Sequence, residues 1–155
     1  MGLNPRVRNL ETGANPKKRA GVVMSDVKIV DVVVTAALLD GAGSANVVVP
    51  LNATDQYKIR NIILVGGGTN FAAGGNRLID LTDGTTVWTT IANADIEAAP
   101  AASLMYGNAK VPFLTGKSDV ASVAGATIAF KYSGGTTDHG GVGSITFAVT
   151  LEKVA

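Results

Sequence analysis

The last stretch of the chain alternates with period two. From Ser144 to Lys153, Ile145, Phe147, Val149 and Leu151 fall on one side, and Thr146, Ala148, Thr150 and Glu152 on the other. Successive side chains of a strand point to opposite faces, so this pattern predicts a strand with one apolar face. The rest of the chain has to supply the sheet around it.

Several other runs are suited to that task. Val27 to Leu39 is rich in β-branched residues and predicts a strand or two, before turn chemistry at Asp40-Gly41-Ala42-Gly43. Ala45 to Leu51 predicts a strand with Pro50 near its end, as expected of an edge or a strand terminus. Asn52 to Asp55 turns the chain. Tyr57 to Val65 predicts the third strand: Tyr57, Ile59 and Asn61 alternate with Lys58, Arg60 and Ile62, and Gly66-Gly67-Gly68 stops it. Leu78 to Leu81 and Thr85 to Ile91 flank Asp83-Gly84, the strongest short hairpin signal. Asn93 to Met105 is the helical candidate, capped by Asn93 and broken by Pro100, so one or two turns are expected. Thr127 to Tyr132 predicts a further strand, joined to the last by the glycine-rich loop Ser133 to Gly143. Seven or eight short strands with turns between them predict an all-β fold: a β-sandwich, jelly roll or barrel in a single domain.

Residues 1–24 differ. Asn4-Pro5 and Asn15-Pro16 disfavour helix, and apolar periodicity is absent. Arg6, Arg8, Lys17, Lys18 and Arg19 stand against Glu11 alone, a local charge of +4 in a chain of net +1. The remainder therefore carries −3. This predicts an extended basic arm, 1–24, on a mildly acidic β body, 25–155. The five cations are the candidate partner-binding residues. They suffice for a few phosphate contacts, but no aromatics interleave for base stacking. The favoured use is pairing with an acidic patch on a neighbouring subunit. Charged residues make up 16% of the 155, below the usual quarter of a globular chain, which points to surface covered by a partner.

Chemical motifs are sparse. The absence of cysteine excludes a disulfide scaffold, a thiol nucleophile and a Cys-based zinc site. Gly66, Gly68, Gly74 and Gly75 lack dinucleotide spacing, and a strand-like run follows them instead of a helix. A wide turn, or close approach of another backbone, explains them better. His139, beside Asp138, is the single histidine and reads as a loop residue, with no nucleophile pattern to serve. Asp80, Asp83 and Asp95 could be imagined as a hydrolytic carboxylate pair, but Asp83 is better explained by its turn and Asp95 by a helix start. Asn52-Ala53-Thr54 matches a glycosylation sequon. Trp88 and Phe71 read as core or interface anchors. Residues 1–23 lack the apolar stretch of a secretory signal, and Val27 to Leu39 is too short and too polar to span a bilayer. No catalytic, cofactor or metal site is expected.

Two regions, 59–91 and 127–151, resemble small phage virion proteins of the head decoration (cement) kind. The resemblance lies in Ile59-Arg60-Asn61-Ile62-Ile63-Leu64, in Gly67-Gly68-Thr69-Asn70-Phe71-Ala72-Ala73-Gly74-Gly75-Asn76-Arg77 and in Leu81-Thr82-Asp83-Gly84-Thr85. Lys131-Tyr132-Ser133-Gly134-Gly135 with the closing strand looks similar too. It implies a sandwich or jelly roll on the outer surface of a capsid, commonly trimeric, without catalytic residues. The implied partners are the major capsid protein and further copies of the chain as a homotrimer. Neither direct nucleic-acid binding nor a membrane is implied. A tail, receptor-binding or carbohydrate-binding virion module is the alternative.

Overall fold

The β-branched run at the start of the body forms the first strand. In the computed structural model, which describes residues 26–39, 43–67, 77–92, 109–135 and 143–155, β1 spans Asp26–Thr35. It stops where branching stops: Ala36–Leu39, four good helix formers, make the short helix α1. The strand predicted to run to Leu39 is thus shorter, and the one described helix lies here. The helix expected at Asn93 to Met105, most of the loops 66–77 and 133–143, and the whole arm 1–24 lie outside the described residues.

The other strands are β2 (Ala45–Val48), β3 (Tyr57–Gly67), β4 (Arg77–Thr82), β5 (Val87–Ala92), β6 (Ala109–Lys110), β7 (Ile128–Gly135) and β8 (Ser144–Lys153). They form two four-stranded sheets, β1-β8-β3-β6 and β2-β7-β4-β5. All pairs are antiparallel, and they are nested: β1 with β8, β2 with β7, β3 with β6, β4 with β5. Two further ladders, β3–β8 and β4–β7, join these pairs into the sheets. This is a long folded ribbon rolled up on itself, the jelly-roll winding of an all-β sandwich.

The core lies between the sheets. Ile145, Phe147, Val149 and Leu151 of β8 are completely buried, as are Ile79, Leu81, Trp88, Ile128 and Phe130 of the opposite sheet. Phe130 and Phe147 stack across the interior with ring centroids 4.6 Å apart and planes 23° from parallel, a pairing that adds to their burial. Strict alternation along β3 fails at two points, one between Ile59 and Asn61 and one between Leu64 and Gly66, where the ladder to β8 shifts register. The first bulge resets the faces. Ile59, Ile62 and Leu64 therefore point inward, while Ile63 is only half-buried.

The turn between β4 and β5 explains why β5 begins at Val87 and not at Thr85. Asp83 Oδ1 accepts from the backbone N–H of Thr85 at 2.9 Å and of Thr86 at 2.6 Å. Both threonines are spent on the turn, and Gly84 takes φ +94° there.

Register fixes the two ends of the sandwich. Asp26 faces Lys153, and Tyr57 faces Lys153 on its other side. The turns 49–56, 83–86 and 111–127 lie at this end. At the far end Thr35 meets Ser144, Gly67 meets Ile145 and Arg77 meets Gly135. The strand ends leading from β1 to β2, from β3 to β4, from β5 to β6 and from β7 to β8 all gather there.

Candidate interaction surface

A strand edge presents unpaired N–H and C=O groups, and folded proteins usually blunt it. Of the four sheet edges among the described residues, three are blunted. β6 has two residues. β2 has four, with a register shift between Asn46 and Val48 and Pro50 just beyond. β5 is tied down by the following segment: Trp88 C=O accepts from Leu114 N–H at 2.8 Å, and the Thr89 hydroxyl donates to Pro112 C=O at 2.7 Å.

β1 is the exception in length and regularity, its only blunting device among the described residues being the charges of Asp26, Lys28 and Asp31. It is ten residues long, and among the described residues its only backbone partner is β8. Its outward side chains include Val27, Ile29 and Val33, which are 53%, 69% and 55% exposed. Across the ladder Ile29 faces Thr150, Asp31 faces Ala148 and Val33 faces Thr146. The outer face of β1 and β8 is therefore mainly apolar and threonine-rich, with charge at Asp31 and at Glu152, which faces Val27.

Charge collects at one end of that face. Lys58 Nζ and Arg60 Nη1 contact Asp119 Oδ1 at 3.0 and 2.8 Å, and Arg60 also binds Glu152. Hydrogen bonds from Lys58 and then Arg60 hold the Asp119 carboxyl below its usual range; Glu152, then Asp119, push Arg60 up. Asp119 is 74% exposed, so salt screens this group. Beside it, Lys153 Nζ lies 2.7 Å from Asp55 Oδ1. Asp55 is buried and also accepts from the Asn52 side chain. The Lys153 hydrogen bond lowers the Asp55 pKa against the opposing effect of burial, and Asp55 in turn raises that of Lys153. The Lys28 ammonium sits 5.4 Å over the Tyr57 ring.

The segment 111–126 locks this end. Ser122 exchanges two bonds with the Tyr57 backbone: its hydroxyl accepts from Tyr57 N–H at 3.0 Å and its own N–H donates to Tyr57 C=O at 2.8 Å. On the other sheet, Trp88 Nε1 donates to Val120 C=O at 3.0 Å. Val123 N–H donates to Asp83 Oδ2 at 2.7 Å, and Gly125 N–H to Asp55 C=O at 2.9 Å. One strap thus bonds to both sheets.

The residues singled out from the sequence divide plainly. Trp88 is in the core. Asp83 holds a turn, and Asp80 accepts from the Thr90 hydroxyl at 2.6 Å across the β4–β5 ladder. A Cβ at Gly66 would meet nothing within 4 Å, so no described backbone crowds that glycine. Arg6, Arg8, Lys17, Lys18, Arg19, Phe71, Asp95, Asp138 and His139 lie outside the described residues. No helix among the described residues is long and apolar enough to cross a membrane. Comparison with protein families, with curated proteins and with solved structures finds no match for this chain.

Proposed function

We propose that the chain is a capsid decoration (cement) protein, a non-catalytic component that binds the outer surface of a viral shell and bridges its subunits. The observation that carries this reading is the jelly-roll winding with one long, largely apolar edge open among the described residues. Viral capsid domains use this winding, and an open edge suits a protein that works by packing against neighbours. The cations of residues 6–19, the low charge content and the resemblance of the 59–91 and 127–151 regions to phage head decoration proteins point the same way. In this role the body sits on the shell, bound to the major capsid protein. The arm residues Arg6, Arg8, Lys17, Lys18 and Arg19 engage acidic surface of a neighbouring subunit. Many weak contacts, repeated over a shell, multiply.

The test is to find the chain in purified particles by electron microscopy. Density on the outer shell supports the reading, and density at a tail tip supports the receptor-binding alternative instead. Absence from particles removes both. Removing residues 1–24 should lower occupancy and heat resistance of the particle; full retention of both would end the arm's role.

A further inference from the structure

We infer that β1 is the pairing edge for a second copy of this chain, β1 against β1 about a two-fold axis, making one continuous eight-stranded sheet. The argument rests on the fold alone and holds whether or not the chain sits on a shell.

The contrast between edges comes first. A head-to-tail assembly needs two different free edges on each copy. The other three are two residues long, four residues long with a bulge, or bonded to the 111–126 strap. Among the described residues only β1 offers a long edge, so the pairing has to be with itself.

Side-chain pattern comes second. Opposed residues of antiparallel strands share a face. A two-fold axis at Val30 sets Val27 of each copy beside Val33 of the other, on the outer face, and Ile29 beside Asp31. It keeps the two Asp31 carboxylates apart, whereas an axis at Asp31 would set them directly opposite. Val27, Ile29 and Val33 are each more than half exposed in the single chain, so the pairing covers what the fold leaves open.

Area sets the strength. An edge of ten residues is about 33 Å long and about 10 Å deep, so two copies bury on the order of 650 Å². Stable interfaces bury about 1,200–2,000 Å². The dimer is therefore weak in solution and forms as concentration rises.

Sedimentation of the full chain over a wide concentration range tests this. A monomer that passes to a dimer is expected, with Ile29→Lys and Val33→Lys each weakening association at least tenfold. Both sites are exposed, so circular dichroism and thermal melting should stay unchanged. The chain has no cysteine, which permits a register test. Mixed Val27→Cys and Val33→Cys variants should cross-link to each other far more than either does to itself. A monomer at every concentration would overturn the inference, as would a trimer, or a dimer indifferent to both lysines. A monomer would mean that the chain's own residues cover the edge.

Discussion

Gly125 and Gly84 both adopt left-handed backbone, φ +69° and +94°, yet their neighbourhoods differ. A Cβ on Gly125 would lie 2.8 Å from Ala53 C=O, whereas one on Gly84 meets nothing within 4 Å. Gly84→Ala meets only the backbone preference, about 1 kcal/mol. Gly125→Ala adds a clash with fixed backbone and should cost about 2–4 kcal/mol. Paired urea titrations of the two variants read the difference directly. Asp55 and Lys153 give the second prediction at this scale. The folded Asp55 pKa is depressed, so its contribution is present above the unfolded value near 3.9 and is lost as pH falls through the folded one. Lys153 is raised, so its share is present below about 10.4 and is lost as pH rises beyond that. Stability should be level between these limits and fall outside them. Asp55→Asn should flatten both shoulders in denaturation curves taken across pH.

The strands were readable from the sequence to different degrees, for physical reasons. β8 is read correctly from Ser144 to Lys153 because strict alternation survives where a central strand has one face in the core. β3 is located, but its faces are not, because the register shift after Ile59 leaves no mark in composition. Here the fold makes a sharp prediction. Ile62→Lys buries a charge and should cost several kcal/mol or prevent folding, while its neighbour Ile63→Lys should be tolerated within about 1 kcal/mol. Thermal melting of the two distinguishes the bulged strand from a regular one. β6 had no signal at all: two residues acquire strand geometry only because β3 lies beside them. α1 is hidden in the sequence because Ala36–Leu39 continues an apolar run, and the loss of β-branching is the available clue. The open edge at β1 was equally hidden. Valine and isoleucine on both faces look like a buried strand until the sheet order places β1 outermost.

At the scale of the molecule, an all-β sandwich follows from the number and spacing of strands, but the nested winding does not. It depends on which of several similar strands pair across more than a hundred residues, as Asp26 does with Lys153, and local sequence is silent on that. The winding also governs how the body carries load. β1 and β8 are antiparallel neighbours, and their described ends lie at the same end of the sandwich. Tension applied between Asp26 and Lys153 would peel their ladder open one rung at a time, the weakest way to load hydrogen bonds. Tension between Asp26 and the far end of the sandwich would instead shear all the rungs of β1 together. A body tethered through its N-terminal segment therefore holds most firmly when its other attachment is at the end where Thr35 meets Ser144.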